Sequence, residues 1–447
     1  MPLTLLKNAL IVTGSSATRG ALAFDGGRIT GIWQEAPFIP NAIEIDLGGR
    51  ILMAGGIDAH VHFREPGLTW KADMESESLA AAMGGITTFL DMPNTAPPTT
   101  ALEELEWKLS RAAATSTANY GFHIGATNTN SAQIRDYLES GLGNMFAGIK
   151  VFMGSSTGNM LVDKDLALED LFRIKGKTIL VHCEDEGTIK SNLQKAKDRY
   201  GDNIPFSEHP SIRSREACVK STRKALDLAI KYGTRLHILH VSTKEEVRMI
   251  REAKLLNPGI TAETSANYLW FSDEDYPKME GRLKCNPAVK SESDRKALIE
   301  ALKDGTIDTI GSDHAPHLAE EKAKSYLNCP SGLPTIQQSL PAVMTIALRE
   351  GIPLTRLASV FSEKASEVFG IQDRGRLEEG CYADLVVIDP NKEYIVGKPA
   401  YKCGWTPYEG QTFKGSVDMV WVNGELIGAG KKAAMKCDFA PGPHSTQ

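Results

Sequence analysis

The sequence predicts a (β/α)8 barrel at residues 51–375 with a small β-sandwich domain formed by the N- and C-terminal segments, 1–50 plus 376–447. From Ile57 onward, short β-branched or aromatic runs alternate with longer segments of helical period, the mark of βα units around a parallel sheet. Residues of metal-binding type stand at the ends of several of those runs, where a barrel of this kind gathers its chemistry. The two chain ends read differently, as short strands punctuated by glycine turns, and neither buries much alone. At 447 residues the chain also exceeds a single core of about 250 to 300 residues.

Taken in order, the first fifty residues supply LKNALIVTG, ALAFDGGRITGIWQ and IEIDLGGR as strand and turn units. Eight strand candidates follow: GIDAHVHF at 56–63, ITTFLDM at 86–92, NYGFHIGA at 119–126, AGIKVFM at 147–153, TILVHC at 178–183, RLHILHV at 235–241, GITAET at 259–264 and TIDTIGSD at 306–313. LEELEWKLSRAA and SREACVKSTRKALDLAIKYG carry the helical period between them. After the eighth strand, the glycine- and proline-punctuated loop from Leu318 to Thr335 is expected to close over substrate. RLEEGCYADLVVID and VDMVWVNGELIG return to strand character, and the tail AMKCDFAPGPHSTQ has no period and is expected to be irregular.

Composition narrows the function. Hydrophobic residues make up 42% and charged residues 24%, which fits a globular protein and removes support for disordered, collagen-like or coiled-coil classes. The formal net charge of -6, with no lysine or arginine block, argues against nucleic acid or an anionic membrane as partner. Seven cysteines form no CxxC pair and are odd in number, so neither a disulfide framework nor a zinc ribbon is indicated. The N-terminal apolar run is interrupted by Lys7, and no apolar stretch approaches the roughly 18 residues of a membrane helix. A soluble cytoplasmic protein with a small-molecule substrate is expected.

The densest chemistry is HVHFREPG, beginning at His60. In a strand, residues i and i+2 share a face, so His60 and His62 can grip one ion, and Arg64 continues the series as a fork of donors for a carboxylate. The other strand ends add Asn94, Lys150, His182, His240 and Asp313. A lysine ammonium beside dications is repulsive. Carboxylation of Lys150 by carbon dioxide would turn it into an anionic ligand that bridges two metals. Two divalent ions would then face His60, His62, Lys150, His182, His240 and Asp313, and this nitrogen and oxygen set suits zinc, with manganese, cobalt or iron as alternatives. Two metals sharing one water imply hydrolysis by a bridging hydroxide, with Asp313 as the catalytic group that accepts and passes on the proton. Cys183, adjacent to His182, has the opposite strand parity and is expected to be packing.

HVHFREPG, GIK in the fourth strand, VHCEDE, HPSIRSREA, HVST, KCNPA and SDHAPH together resemble the cyclic amidohydrolases of the amidohydrolase superfamily, and among them the dihydroorotases most. The resemblance covers nearly the whole chain. It implies reversible hydrolysis of the cyclic amide of L-dihydroorotate to N-carbamoyl-L-aspartate in pyrimidine biosynthesis, a homodimer, and substrate contacts at Arg64, Asn94, Asn286 and His317. Arg64, Asn94 and His317 would meet the α-carboxylate and Asn286 the ring amide. Allantoinase, dihydropyrimidinase or hydantoinase activity is the alternative within the same chemistry, and a non-catalytic assembly partner is the alternative outside it. Two segments depart from the resemblance: ETSANYLWF after the seventh strand lacks the proline and paired histidines common among relatives, and MAGGID has alanine where proline is common.

Overall fold

The structure is a computed structural model that describes residues 3–154, 160–428 and 433–440. Its centre is a (β/α)8 barrel. The strands are Gly56–Val61, Ile86–Asp91, Asn119–Phe122 continued by Ile124–Gly125, Gly148–Phe152, Thr178–His182, Leu236–Ile238, Ile260–Thr264 and Thr309–Ile310. Each pairs in parallel with the next. The ring closes where Val61 bridges His314 and the His62 N–H donates to the His314 carbonyl at 2.8 Å. Parallel strands covered on both faces must be apolar throughout, which is why these runs read as continuous rather than alternating.

Helix boundaries follow local chemistry. The helix Arg215–Tyr232 begins where the Ser214 side chain accepts from the Ala217 N–H and ends at Gly233, whose φ of 61° suits a residue without Cβ. Helix Lys244–Leu256 opens on a reciprocal box in which Thr243 accepts from Glu246 N–H and Glu246 accepts from Thr243 N–H. The sixth and eighth strands are shorter than predicted, and at the edge of the eighth a side chain takes a ladder position. Asp308 accepts from the Ala262 N–H at 2.7 Å and pairs with Lys254.

The chain ends share one eight-stranded sheet, in the order Glu425–Leu426, Thr412–Val422, Leu385–Ile395, Ile51–Ala54, Thr4–Val12, Ala17–Asp25 and Arg28–Trp33, with Ile43–Asp46 pairing beside Thr4–Val12. Phe24 and Trp421 lie on strands well separated in that order, yet their ring centroids are 6.1 Å apart, so the sheet folds over its own apolar core. Alanine in place of proline at Ala54 costs nothing here, since Ala54 is ordinary strand paired to Leu385. The described part of the tail lacks regular structure but is packed: Lys436 bridges Tyr120, Phe439 bridges Ile371, and Cys437 is fully buried. Residues 441–447 of the expected irregular tail lie outside the described residues. Among the described residues no helix is long and apolar enough to cross a membrane.

A buried polar knot ties sheet to barrel. Asp384 accepts from Arg374, from Asn119 Nδ2 at 3.1 Å to each carboxylate oxygen and from the Asn423 N–H at 2.8 Å, while Asn423 Nδ2 donates to Asn119 Oδ1 at 2.7 Å. Removing one partner of such a pair strands the other in low dielectric. Asp384→Ala is therefore expected to lower the free energy of unfolding by about 3–5 kcal/mol, read from urea or thermal unfolding. A loss below about 1 kcal/mol would mean that the knot does not hold the two parts together.

Candidate metal centre

The strand ends converge on one cavity of about 290 Å³, lined by His60, His62, Arg64, Asn94, Lys150, Phe152, His182, His240, Asn286, Asp313 and the loop residues Ala315 and Pro330 to Gly332. Sequence reasoning named nine of these side chains from six strand ends and one loop, and the fold brings them together. His317 is the exception: it is not among the described residues lining the cavity and lies behind Arg64.

Strand pleating alone does not aim these groups. The first strand ends at Val61, and Arg64 has a φ of 63°, so the extended i+2 series breaks before it. Arg64 reaches the cavity through that left-handed turn, with Nε donating to the Pro316 carbonyl at 3.2 Å. His240 and Asp313 also sit in the left-handed region, at φ 39° and 47°. Non-glycine residues hold such backbone only where the surroundings over-determine it, and here it turns three chain ends inward at the rim.

His60, His62 and His182 each present one nitrogen to the cavity and have the other engaged, whereas His240 Nδ1 is buried without a hydrogen-bond partner. His60 Nδ1 meets Glu263 Oε1 at 2.7 Å, while its Nε2 is 3.3 Å from Asp313 Oδ1. His62 Nδ1 donates to Asn94 Oδ1 at 2.7 Å, and its Nε2 is 3.1 Å from the same Asp313 oxygen. On the other side, His182 Nε2 donates to Glu184 Oε2 at 3.0 Å, leaving its Nδ1 2.8 Å from His240 Nε2. Among the described residues, His60, His62 and Asp313 are the group that brings ligand atoms within 4.8 Å of one another, close enough for a single ion. Lys150 reaches into the same space, its Nζ 4.6 Å from the Phe152 ring centroid. Cys183 points the other way, toward Ser221 and Thr222 of the covering helix, and its thiol is pushed up to about 12 by burial, as inert packing should be.

Electrostatics suit cation binding. Burial holds the His60 and His240 rings well below the ordinary imidazole value and lowers His62 and His182 too, so all four are neutral donors. Asp313 stays below the usual carboxylate range because His60 and His62 outweigh the opposing effect of burial. Burial brings the Lys150 amine down to about 7. Arg64 falls to about 10 for the same reason and remains a cation at neutral pH. Four neutral imidazoles, a carboxylate and an amine around one space form a donor set that a pair of divalent ions fits.

Several contributors were not anticipated. Glu263 and Glu184 orient the histidines, and Arg213 keeps Glu184 ionised against the effect of burial. Asp58, raised to about 7 by burial, accepts from the His60 and Ser312 N–H groups and so joins the first strand to the Asp313 turn. An acid inside an apolar run (Glu263) and acids at i±2 from a histidine (Asp58, Glu184) were the available signals. The loop after the eighth strand is held by two buried lysines: Lys284 Nζ donates to the Tyr326 and Cys329 carbonyls, and Lys322 Nζ to those of Lys284, Pro330 and Gly332. In the divergent 265–270 segment, Tyr268 donates to the Pro287 carbonyl at 2.7 Å and so supports the turn that carries Asn286.

The amidohydrolase family pattern matches residues 51–427. A dihydroorotase of Methanosarcina acetivorans is 34% identical over 92% of this chain and 89% of its own length. An allantoinase of Streptomyces avermitilis is 30% identical over 95% of each chain. Among solved structures, the L-hydantoinase (dihydropyrimidinase) of Arthrobacter aurescens superposes with a TM-score of 0.89 at 27% identity, covering 99% of this chain and 98% of its own.

Carboxylates that hold the outer nitrogen of a ligand histidine are worth about 10–100-fold in metal affinity. Glu263→Ala and Glu184→Ala are each expected to weaken retention of a loaded divalent ion by about that factor in chelator competition. Retention equal to that of the unaltered protein would show that these histidines need no such support.

Proposed function

Starting from a chain that belongs to the amidohydrolase family and hydrolyses cyclic amide bonds, we propose that it is a dihydroorotase, which opens the ring of L-dihydroorotate to N-carbamoyl-L-aspartate and closes it again. One observation carries the choice of substrate: the cavity that holds the histidine, lysine and aspartate set is also lined by the Arg64 guanidinium and by Asn286, whose Oδ1 is buried without a partner. A ring that carries both a carboxylate and an amide N–H satisfies the two at once. Rings without the acid group leave a buried cation unanswered.

In this reading His60, His62, His182, His240, Asp313 and carboxylated Lys150 hold two divalent ions, with zinc suited to the donors. When bound, such a pair supplies a water activated at neutral pH and polarises the amide carbonyl. The chain's own groups do the rest. Arg64 and Asn94 orient the α-carboxylate. Asn286 accepts from the ring N–H. Asp313, ionised and directed into the cavity, takes the proton from the attacking water and delivers it to the departing ring nitrogen. Only an uncharged amine reacts with carbon dioxide, and burial makes Lys150 such an amine near neutrality. The pyrimidine pathway, a cytoplasmic setting and a homodimer complete the reading as what the sequence resemblance implies.

With zinc and bicarbonate present, turnover of dihydroorotate is expected to exceed that of dihydrouracil, hydantoin and allantoin by at least about 100-fold, since a site built around a charged group rejects analogues that lack it. A reversed ranking in the same assay assigns another cyclic amide. Lys150→Ala should lose metal and activity together, whereas Arg64→Ala should keep both ions by elemental analysis and lose dihydroorotate turnover. Reactivation of metal-stripped enzyme by zinc and bicarbonate should slow as pH falls through about 7, because protonation of Lys150 removes the nucleophilic amine. A flat profile would show that the lysine is not the carbon dioxide acceptor.

A further inference from the structure

Behind Arg64 stands a second buried cation that the chemistry above does not use. Lys71 is 7% exposed, with Nζ 3.0 Å from His317 Nδ1 and 2.8 Å from Glu321 Oε1. The other ring nitrogen, His317 Nε2, lies 3.1 Å from the Ser331 carbonyl and 3.1 Å from Arg64 NH2. Burial, with Arg64, Lys322 and Lys71 close by, keeps this imidazole far below its ordinary value, so it is neutral and carries one proton.

That proton has two possible homes. On Nδ1 it would face the Lys71 ammonium, a donor against a donor, and the bare Nε2 would face the Ser331 carbonyl, an acceptor against an acceptor. On Nε2 it donates to Ser331 O while Nδ1 accepts from Lys71, and both contacts are satisfied. The remaining contact, Arg64 NH2 against Nε2–H, then offers the guanidinium no acceptor. The Arg64 fork is left for whatever enters the cavity that it lines.

The geometry points to Lys71 as a positioning residue that fixes the Nε2–H tautomer of His317 and thereby keeps the Arg64 guanidinium available to a substrate carboxylate. Without Lys71, the ring proton moves to Nδ1, where Glu321 Oε2 at 3.9 Å is the remaining charged neighbour. The freed Nε2 lone pair then accepts from Arg64 NH2, which Pro316 already holds through Nε. The fork is held from behind, and substrate binding weakens while the groups around the reacting amide are untouched. His317 accordingly acts on Arg64 through its Nε2–H. This assignment rests on the dihydroorotase reading for the identity of the carboxylate.

The test compares the metal-loaded enzyme with Lys71→Met and Lys71→Arg. For Lys71→Met, KM for dihydroorotate should rise about tenfold or more, the scale of one hydrogen bond to a charged group, with kcat within about twofold and metal content unchanged. Lys71→Arg, which keeps a donor at Nδ1, should recover most of the lost KM. Independently of activity, 15N-histidine spectra should show His317 as Nε2–H in the unaltered enzyme and as Nδ1–H in Lys71→Met. A parallel fall in kcat and metal content would mark Lys71 as merely structural and overturn the proposal. So would an unchanged KM, or a tautomer that does not respond to the substitution. If the unaltered enzyme does not turn over dihydroorotate, the substrate reading fails by itself, and the tautomer comparison still decides the role of Lys71.

Discussion

The centre depends on buried carboxylates that grip the histidines from outside. An imidazole can spin about χ2 and can carry its proton on either nitrogen, so four histidines at a barrel mouth do not by themselves make a metal site. Glu263 on His60 and Glu184 on His182 remove both freedoms, and Asn94 does the same for His62. The inward nitrogens are thereby fixed as acceptors before any cation arrives. Arg213 keeps Glu184 charged although that carboxylate is fully buried, which extends the constraint to the turn before helix Arg215–Tyr232. The pattern is one of supporting partners setting the direction of ligands, and it makes the site largely preorganised.

The same logic governs the anion side. A cation of high donor capacity such as Arg64 is useful only if its fork is not already satisfied by protein. The local backbone turns it inward at φ 63°, and its visible protein partners are the Pro316 carbonyl and a histidine nitrogen that the Lys71 contact makes a donor. Pro330 to Gly332, which complete this wall of the cavity, come from a loop whose carbonyls are satisfied by Lys284 and Lys322. Two ammonium groups buried among backbone oxygens hold the loop against the site. In this structure the segment forms a pinned wall of the cavity.

Much of the molecule was legible from local pattern. Parallel barrel strands are buried on both faces, so their apolar runs stand out, and a strand must deliver its catalytic groups at its C-terminal end. That is why His60, His62, Lys150, His182, His240 and Asp313 could be picked from runs scattered over more than half the chain and found around one cavity. The pattern failed where its physical premise failed. Arg64 was placed by extending strand alternation past Val61, but the chain leaves the extended region there. Helical period is equally silent about Lys108 in the helix Leu102–Thr115, which lies fully buried against Asp91 at 2.6 Å, because a charge partner on a neighbouring strand leaves no trace in that period.

By itself the sequence determined the barrel, the two-ended β sheet, the ligand types and the class of chemistry, because each follows from periodicity of 2.0 or 3.6 or from residues near one another in the chain. Only the tertiary structure decided which nitrogen of each histidine faces the cavity, that Glu263 and Asp58 belong to the centre, and that His317 stands behind Arg64 with Lys71 at its back. Those outcomes rest on hydrogen bonds between residues as far as 254 positions apart, such as Asp58 with Ser312. Pairings of that range depend on how the barrel closes, and no local pattern encodes them.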